Sequence, residues 1–545
     1  MTLFEQILTA RGLTTRAARQ AFLQPDYMAV KHDPFLLPDM KKAVARLKQA
    51  REQGEKIVIY GDYDIDGLSA TALLLDAFGK FGFEDVNAFI PNRFVEGYGM
   101  TMGAVDKVRD MGADLIVTVD TGSLCHAEIA YATSLGIDTV VTDHHNVAET
   151  PPPSVAAVNP KFPGHTYPFR DLCGAGVAFK LVQALQTELD ELPDGYEKWL
   201  LDLVALGTVC DIVTLADENR ANVYWGLEVL KKQQRPGLKA LMAVAGIEPE
   251  QVNARHLGFG LGPRMNAAGR LETAQHALDM LVAHDGLAAL EASEKLEELN
   301  VKRRGIQDAI FEEACVQAEQ LADDRVLVVS SDGWNHGVIG IVASKLVEKY
   351  KKPVFIIGER GEEATGSARS FGDFSAADAV RAADDIIIKG GGHGAAAGVT
   401  LATEKIGDFR RRVNEFYDSL QLTNQERYLL PRADVEIDDF SEIDEELVEN
   451  MAKMEPFGNG NPEPVLKIAR ASVLSMRRMG TDGQHVKLAL RDKDGKVLQM
   501  LAFNAPEEFF REPGDEVAAW FQPTINEWQG VRTVEGRLLH IILLD

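Results

Sequence analysis

From residue 56 onward, short apolar runs alternate with helical stretches, and this alternation constrains the fold more than any other feature. The run IVIY precedes the turn GDYDIDG and the helical stretch SATALLLDAFGKFG, and VNAFIP, DLIVTV and DTVVT begin further units of the same kind. Strands that are joined by helical crossovers form parallel sheets with helices packed on both faces. The pattern therefore predicts an α/β fold, a doubly wound domain built on a parallel sheet.

Two further patterns follow this domain. Residues 286–322 keep helical periodicity with Gly305 as the interior breaker, which predicts a long connecting helix between domains. RVLVVSS, HGVIGIVASKLVEKY and KPVFIIG then predict a smaller α/β domain. Beyond Pro464, five short alternating strands separated by Gly and Asp turns predict an OB-type β-barrel. Before the barrel, the acidic run from Asp434 to Glu449 predicts a solvated, partly helical segment at a domain boundary.

The charge of the chain limits how it can bind a polyanion. The sequence has 57 Lys and Arg against 83 Asp and Glu, a net charge of −26 at pH 7. A field of that sign repels nucleic acid, so any contact with it must be made through a local basic groove. The apolar share of 46% and the charged share of 26% also exclude a disordered chain.

The cysteines and the apolar runs indicate the compartment. Cys125, Cys173, Cys210 and Cys315 are far apart and form no CxxC pair, which argues against a zinc ribbon or a disulfide framework. The first residues lack the apolar stretch of a signal peptide, and no run reaches the roughly 18 apolar residues of a membrane span. We therefore expect a cytoplasmic protein without a membrane partner.

Metal-competent side chains follow three of the predicted strands. They are Asp62, Asp64 and Asp66 after IVIY, Asp120 after DLIVTV, and Asp143, His144 and His145 after DTVVT. The carboxyl ends of parallel strands meet at one crevice, so these groups are expected to converge. Clustered carboxylates repel each other unless cations neutralise them, and carboxylate oxygens mixed with imidazole favour Mn²⁺ or Mg²⁺. The sequence therefore predicts a site for two divalent metal ions that serves phosphoryl displacement.

Each of these residues, taken singly, also has an ordinary structural explanation. A lone Asp after a strand is more often a helix N-cap than a ligand, and Asp62 in particular can serve only to shape its turn. Adjacent histidines are commonly surface or core residues. The metal site is favoured because three independent strand ends carry suitable groups.

Eight motifs give the sequence a likeness to a known family. DYDIDG, VTVDTG, TDHH and LGTVCDIV resemble, in order and at similar spacing, the four motifs of the DHH phosphoesterases. FVEGYG, GPRMNAAGR, GSAR and GGGHGAAAG continue the resemblance, which covers residues 30–405 clearly and the barrel more loosely. Within the family, the sequence is most similar to the exonucleases that are specific for single strands.

The resemblance also names the predicted domains. They are an N-terminal helical extension (1–50), a DHH catalytic domain (51–235), a helical linker with the long connecting helix (236–322), a smaller α/β DHHA1 domain (323–425) and an OB-fold nucleic-acid-binding domain (426–545). Some relatives carry a further C-terminal domain for protein partners. Because the sequence stops after the barrel, recruitment through such a module is not expected.

The resemblance implies a role for each residue of the metal site. The implied metal ligands are Asp64, Asp66, Asp120, His144 and Asp211, with Asp120 bridging the two ions. Asp211 lies in LGTVCDIV, and its inclusion depends on the family match alone. The implied catalytic residues are His145, which contacts the scissile phosphate or assists the leaving group, and Asp62, which supports the ligands.

The glycine-rich motif GGGHG is a candidate for binding phosphate. Gly391 and Gly392 expose backbone N–H groups that can cradle a phosphate, and His393 can add a donor. The alternative explanation is a glycine turn that close packing requires.

Other phosphate contacts are implied by the resemblance. Ser367 and Arg369 in GSAR resemble a phosphate-binding pair, and Arg93 and Arg264 are similarly placed to grip the strand near its 5′ end. Each arginine alone is more often a surface or structural residue.

The barrel is the candidate for the local basic groove. Its basic residues between positions 465 and 491 are Lys467, Arg470, Arg477, Arg478, Lys487 and Arg491, against one acid, Asp482. Its later aromatic residues include Phe503, Trp520, Phe521 and Trp528. A positive groove with stacking rings binds single strands without regard to sequence, and Arg477 and Arg478 are the predicted contacts. The alternative is that at least half of these aromatic residues belong to the barrel core.

The implied activity is that of a metal-dependent exonuclease, a hydrolase that degrades single-stranded DNA from 5′ to 3′ into 5′-mononucleotides in DNA repair and recombination. A single-strand-binding protein and a helicase are the expected protein partners. Two alternatives stay open: a DHH phosphodiesterase acting on short oligonucleotides or cyclic dinucleotides, and a non-catalytic replication scaffold. The basic barrel and the long helix favour a polymer as substrate, and the filled ligand positions argue against a scaffold.

Overall fold

The computed structural model of the chain describes residues 1–97, 99–189 and 191–544. They form two compact units, one of Met1–Gly262, Leu278–Leu290 and Pro431–Asp545, the other of Pro263–Ala277 and Glu291–Leu430. The first unit thus holds both the parallel-sheet domain and the C-terminal barrel. Tyr98, the tyrosine of the FVEGYG motif, lies outside the described residues.

The parallel sheet is the scaffold of the first unit. Its strands are β1 (Ile57–Gly61), β2 (Val86–Phe89), β3 (Leu115–Val119), β4 (Asp138–Thr142) and β5 (Ala156–Val158), in the order β2-β1-β3-β4-β5 and all parallel. Every residue of β1 and β3 is buried, as expected for strands covered on both faces. The doubly wound α/β fold predicted from the alternating pattern is confirmed.

Helices precede, connect and follow these strands. Before β1 are α1 (Leu3–Ala10), α2 (Arg16–Leu23), α3 (Tyr27–Val30) and α4 (Met40–Gln53). Between the strands are α5 (Ile65–Lys80), α6 (Met102–Asp110) and α7 (His126–Ser134). After β5 are α8 (Gly174–Gln186), α9 (Leu201–Cys210), α10 (Asp217–Lys231), α11 (Pro236–Val244), α12 (Gly262–Leu271), α13 (Gln275–Val282) and α14 (Gly286–Gln320). The predicted long helix is α14, which runs for 35 residues.

The two faces of the parallel sheet carry different helices. On one face, Val58 and Ile116 share a core cluster with Val105 of α6 and Ile129 of α7. The other face is covered by α5, which contacts β1 and β3, and by α8, which contacts β3 and β4. Helices on both faces leave the carboxyl ends of the strands as the place where polar side chains can gather.

A mixed sheet organises the second unit. Its elements are β6 (Leu327–Asp332), α15 (Ile339–Tyr350), β7 (Val354–Arg360), β8 (Glu363–Arg369), α16 (Ala376–Arg381), β9 (Ile387–Gly392), β10 (Ala396–Ala402) and α17 (Ile406–Ser419). The strand order is β6-β7-β8-β10-β9, with β6 and β7 parallel and the other pairs antiparallel. The expected smaller α/β domain is present.

The C-terminal region closes into a barrel. Its elements are β11 (Val435–Ile437), α18 (Glu445–Ala452), β12 (Leu466–Met479), β13 (His485–Arg491), β14 (Val497–Ala502), β15 (Glu516–Trp528) and β16 (Val531–Leu543). Pairing runs β12-β13-β14-β16-β15 and returns from β15 to β12, which closes the sheet. This closed arrangement confirms the expected OB-type barrel.

The acidic run before the barrel differs from its expected character. The segment is partly helical, as predicted, but Phe440, Ile443 and Leu447 are buried in the barrel core rather than solvated. Helix α1 joins the same core through Leu3 and Ile7. The reason is that the apolar residues between the acids line one side of the segment, which the count of charges does not reveal.

Among the described residues, no helix combines the length and the apolar character that crossing a membrane requires.

Candidate metal centre

Three strand ends of the parallel sheet deliver polar side chains to one place. Asp62 directly follows β1, Asp120 directly follows β3, and His144 comes two residues after β4. The sheet order reverses between β1 and β3, and at such a switch point the loops on either side diverge and leave a crevice. His144 Nε2 lies 3.1 Å from Asp120 Oδ1 and 3.8 Å from Asp66 Oδ2. The structure therefore brings together the acids and imidazole that were expected to converge.

Asp211 reaches this cluster from a different element. It follows the last residue of α9, and its Oδ2 lies 3.6 Å from His144 Nε2. Nothing in its local apolar surroundings distinguishes it from a helix-end residue, so only the motif resemblance could point to it. The contact with His144 is made by packing between distant segments.

The ligand atoms form overlapping groups, each within 4.8 Å, among the described residues. The groups are Asp66, His144 and Asp211; Asp62, Asp64 and Asp120; and Asp120, His144 and His145. Asp120 and His144 each belong to two groups. Overlapping groups of this kind could hold two neighbouring cations.

Backbone groups hold two of the aspartates in place. Asp64 Oδ1 accepts hydrogen bonds from the N–H groups of Asp66 and Gly67, at 2.9 and 3.1 Å, and so caps α5. The N-cap explanation thus applies to one oxygen of Asp64. Asp66 accepts the N–H groups of Gly174 and Ala175, at 2.5 and 2.8 Å, at the N-terminus of α8. A helix N-terminus favours a negative charge, so α8 stabilises the Asp66 carboxylate.

Two glycines allow helices to approach the cluster. A Cβ on Gly174 would lie 2.5 Å from Asp120 Cβ, and a Cβ on Gly207 would lie 2.4 Å from Asp66 Oδ1. Neither glycine was singled out in the sequence, because a glycine within an apolar helix gives no local sign of what it faces.

Asp120 has the least satisfied side chain of the cluster. Its backbone φ is 62°, a left-handed conformation that is uncommon for a residue other than glycine. The residue is 1% exposed, and neither carboxylate oxygen has a hydrogen-bond partner among the described residues. His144 Nε2 is close but lacks the geometry of a hydrogen bond. A buried carboxylate without donors is costly unless a cation binds it.

Burial and mutual repulsion change the pKa values of the clustered groups. Burial first, and a neighbouring aspartate second, raise the pKa of Asp211 to about 8, of Asp62 to about 7 and of Asp66 to about 6. The same causes raise the pKa of Asp120 well above its ordinary value. Burial lowers the pKa of His144 to about 3, so its imidazole is neutral and can act as a ligand. Without cations, the cluster resists full ionisation at neutral pH.

Asp143 orients His145, a role that the sequence interpretation did not assign. Asp143 Oδ1 lies 2.9 Å from His145 Nδ1, and Asp143 Oδ2 accepts the N–H of Ser123 at 2.9 Å. Burial disfavours a charged imidazole, but the hydrogen bond to Asp143 raises the pKa of His145 to about 9. The order Asp-His-His at a strand end was the available signal, because a histidine at a reactive site usually needs a carboxylate to orient it.

Arg93 lies beside the cluster. Its guanidinium is 4.5 Å from the centre of the Tyr63 ring, and Nη2 donates to the Tyr63 hydroxyl at 3.1 Å. Tyr63 stands between Asp62 and Asp64 in the chain, so Arg93 places a positive charge next to the metal-competent acids.

The second unit gathers its own candidate phosphate residues. Ser367 and Arg369 lie on the same face of β8, and Arg369 Nη1 donates to Ser367 Oγ at 3.2 Å. Gly391 of β9 and Ser367 of β8 both pair with Gly398 of β10, so they share one row of the sheet. His393 is exposed just after β9.

The alternative explanation for the motif, a glycine turn that close packing requires, applies to Gly392. Gly392 has a φ of 149°, and a Cβ there would lie 2.4 Å from the carbonyl oxygen of Ala396. Gly391 has no heavy atom within 4 Å of a Cβ position and is open to a ligand. The two glycines of the motif thus meet different requirements.

Arg264 contacts an acid within its own unit. Its Nε lies 2.5 Å from Glu297 Oε2 on α14. Its side chain is mostly buried, and Glu297 neutralises part of its charge.

Much of the predicted basic patch of the barrel is neutralised by local acids. Lys467 pairs with Glu436, Arg470 with Glu516, Arg478 with Glu507 and Lys487 with Glu535. Among the described residues, Arg477 and Arg491 show no ion pair with an acid. Of the aromatic residues, Phe521 is in the core, whereas Phe503 and Trp528 are 65% and 72% exposed. The patch is smaller than the sequence indicates, because the composition does not reveal which acids lie across the strands.

Comparisons with known families cover most of the chain. Residues 56–208 match the DHH family, N-terminal domain; residues 323–419 match the DHHA1 domain; and residues 433–540 match the RecJ OB domain.

Two relatives match the chain over most of its length. Single-stranded-DNA-specific exonuclease RecJ of Bacillus subtilis (strain 168) is 39% identical over 533 residues, which are 96% of this chain and 66% of that protein. RecJ of Dickeya dadantii (strain 3937) is 35% identical over 534 residues, 93% of this chain and 91% of that protein. The chain thus spans about two thirds of the first relative and most of the second.

Two solved RecJ structures are similar to the chain over nearly its whole length. The crystal structure of RecJ in complex with Mn²⁺ from Thermus thermophilus has a TM-score of 0.83 at 30% identity and covers 99% of this chain and 76% of that chain. RecJ in complex with Mg²⁺ from the same organism has a TM-score of 0.77 at 27% identity, covering 98% and 74%. With its three domain matches and its relatives along nearly the whole length, the chain belongs to the RecJ family.

Proposed function

We propose that the chain is a metal-dependent exonuclease that degrades single-stranded DNA from its 5′ end into 5′-mononucleotides, in DNA repair and recombination. The observation that carries this proposal is the convergence of three strand ends and the end of α9 on one buried cluster, in which Asp120 lacks hydrogen-bond partners among the described residues. The relatives named as single-stranded-DNA-specific exonucleases support the choice of substrate.

The donor set of the cluster fits two divalent ions such as Mn²⁺ or Mg²⁺. Asp66, His144 and Asp211 would hold one ion, and Asp64 and Asp120, with Asp62 beside them, would hold the other. Hard carboxylate oxygens with one neutral imidazole suit these metals, and RecJ structures with Mn²⁺ and Mg²⁺ support the assignment. Ions bound there supply Lewis acidity and lower the pKa of a water molecule.

The chain's own residues position the substrate and move a proton. His145, which Asp143 orients, is placed to donate to the scissile phosphate or to the departing 3′-oxygen of the released nucleotide. Arg93 adds a positive charge on the same side, where it can hold a backbone phosphate.

Other residues are proposed to bind the DNA backbone. In the second unit they are Arg264, Ser367, Arg369, Gly391, Gly392 and His393, and in the barrel they are Arg477 and Arg478. Of the barrel pair, Arg477 is expected to contribute more, since Glu507 already pairs with Arg478.

The function is tested with oligonucleotides of different length, labelled at one end. With Mn²⁺ or Mg²⁺, a 5′-labelled single strand should release labelled mononucleotide first, a 3′ label should persist in shortening strands, and a chelator should stop both. Cleavage of dinucleotides but not of long strands would favour a small-substrate phosphodiesterase instead. Strand binding without any release would favour a scaffold.

We also propose a cytoplasmic location, with a single-strand-binding protein and a helicase as partners that expose the strand. The four cysteines are unpaired, which is usual in a reducing compartment. A pull-down with the full chain tests the two partners.

A further inference from the structure

The turn that follows Asp211 has a strained conformation. Helix α9 ends at Cys210, and Ile212 has a φ of 59°, in the left-handed region that a β-branched residue rarely adopts. The Ile212 side chain is 68% exposed, so core packing does not fix it. Residues 211–215 are here called the Asp211 turn. The N–H groups of Asp211 and Ile212 donate to the carbonyl oxygens of Gly207 and Val209 in α9, and contacts from another segment add to these local bonds.

A loop that precedes the barrel supplies those contacts. Residues 455–461 are here called the clamp loop. Asn459 Nδ2 donates a hydrogen bond to the carbonyl oxygen of Ile212 at 2.8 Å, and the N–H of Leu215 donates to the carbonyl oxygen of Asn459 at 2.8 Å. A single asparagine thus binds both the strained residue and the far end of the Asp211 turn.

Glycines in the clamp loop make this close approach possible. A Cβ on Gly458 would lie 2.7 Å from Leu215 Cδ1, and a Cβ on Gly460 would lie 2.6 Å from Thr214 Cγ2. Gly460 also has a φ of 76°, which suits glycine best. Gly458 and Gly460 thus let the clamp loop approach Leu215 and Thr214 of the Asp211 turn closely.

The clamp loop is itself held rigidly. Arg220 Nη2 donates to the carbonyl oxygens of Met454 and Glu455, at 3.0 and 2.9 Å, and Asn461 Nδ2 donates to that of Pro456 at 2.9 Å. Arg220 and Asn461 are 5% and 3% exposed. Buried hydrogen bonds thus fix both ends of the clamp loop, whereas Gly458, Asn459 and Gly460, which touch the turn, are exposed.

We propose that Asn459 is a positioning residue that fixes the Asp211 carboxylate for the metal centre, so that docking of the barrel's leading loop and formation of that centre are coupled. The inference depends on the proposed metal site but not on the proposed substrate. Asn459 acts on the ligand through the backbone of the turn, so its loss is expected to weaken binding by about tenfold, the lower end of the range for groups that hydrogen-bond a ligand directly.

The test is Mn²⁺ binding to the full-length chain, followed by electron paramagnetic resonance. Asn459→Asp keeps the shape of the side chain and removes the donor to Ile212, so it should weaken Mn²⁺ binding by about tenfold. Asn526→Asp, the same change at an exposed position of the barrel, is the matched control and should leave the binding unchanged. Thermal unfolding in a chelator shows whether both variants are folded.

A second substitution separates positioning from a general loss of structure. Ile212→Gly removes the penalty of the left-handed conformation, so Asn459→Asp should weaken Mn²⁺ binding less in that background than in the parent chain. If Asn459→Asp does not fold, Ile212→Gly alone decides: with the clamp loop intact it should retain the parent affinity, and a tenfold loss would overturn the proposal.

The outcomes distinguish this inference from the proposed function. Equal Mn²⁺ affinity in the parent and in Asn459→Asp would refute the positioning role, whatever the nuclease assay shows. Tight Mn²⁺ binding that Asn459→Asp weakens, together with an absence of DNA cleavage, would sustain the positioning role and refute the exonuclease.

Discussion

Two buried carboxylates of the parallel-sheet unit, Glu218 and Asp120, have opposite surroundings. Glu218 lies 2.7 Å from Lys180 Nζ, accepts the N–H of His32 at 3.0 Å and accepts the hydroxyl of Tyr167. Asp120 is at least as buried, yet its oxygens have no hydrogen-bond donor in the described part of the chain. Lys180 neutralises the charge of Glu218 within the fold, whereas no donor in the described residues does so for Asp120.

The difference separates a buried charge that the fold pairs with a lysine from one that it does not pair in this way. Desolvating a carboxylate costs several kcal/mol, which only a matched partner offsets. Lys180 provides that partner for Glu218 and ties the segment around His32 to α8 and α10. Around Asp120 the neighbours are further aspartates and the imidazoles of His144 and His145, and none of them donates a hydrogen bond to it among the described residues. Its carboxylate is therefore stabilised by protonation, which its raised pKa reflects, or by a bound cation.

The largest effect is expected from Asp120→Asn. Removing this proposed metal ligand should lower the rate of cleavage by about 10³-fold, since a bound metal contributes several kcal/mol to the transition state. In a chelator, the free energy of unfolding should not decrease, because an uncompensated buried acid is being removed. Nuclease assays and urea unfolding with EDTA measure the two quantities. A less stable variant in EDTA would mean that Asp120 has partners within the fold.

Glu218→Gln should lower stability and leave cleavage unchanged, the opposite of what is expected for Asp120→Asn. Leaving Lys180 buried and unpaired should lower the free energy of unfolding by about 3–5 kcal/mol, while the folded fraction keeps its cleavage rate. Adding Lys180→Met should restore much of the lost stability, since the unpaired charge is then gone. Urea unfolding of the single and double variants tests this, and an equal loss in both would show that the pair is not the source of stability.

The acid cluster should also make stability depend on pH in a metal-dependent way. The pKa of Asp211 is about 8 in the folded state and about 3.9 when unfolded, so the folded state binds more protons in between. Its contribution is therefore present at low pH and is lost as the pH rises through about 8. We expect the difference in Tm between Mn²⁺-loaded and chelated protein to widen from pH 6 to pH 8. A constant difference in calorimetry would contradict the raised pKa.

The smallest effect is expected in the barrel, where Glu507 pairs with Arg478 but Arg477 shows no ion pair among the described residues. Arg477→Ala should weaken binding of long single strands and reduce the slope of log affinity against log salt by about 0.7, as loss of one phosphate contact does. Arg478→Ala should change the slope less, since Glu507 and the Phe510 ring already engage that guanidinium. Titrations at several salt concentrations compare the two, and a larger effect of Arg478 would reverse the assignment.

The sheet and its strand ends could be predicted because their signals are local. Apolar runs of strand length fix β1, β3 and β4, and the chain direction then places Asp62, Asp120 and His144 at the same edge. The fold class is confirmed on this basis. The individual ligand roles and the domain bounds stay predictions, which the experiments above address.

What the sequence could not reveal depends on contacts between distant segments. Asp211 is an ordinary helix-end residue until α9 is packed against His144. Glu507 neutralises Arg478 from 29 positions away, and Asn459 reaches Ile212 across 247 positions. No local period or composition encodes such pairs, so they become visible only in three dimensions.

The packing of α1 in the barrel core has a consequence for synthesis on the ribosome. Leu3 donates its N–H to Glu442, 439 positions later in the chain. At about 5–20 residues per second, helix α1 waits roughly 20 to 90 s for its partners to be translated. During that interval Leu3, Ile7 and Leu8 expose an apolar stripe on the nascent chain, which is the kind of surface that molecular chaperones bind.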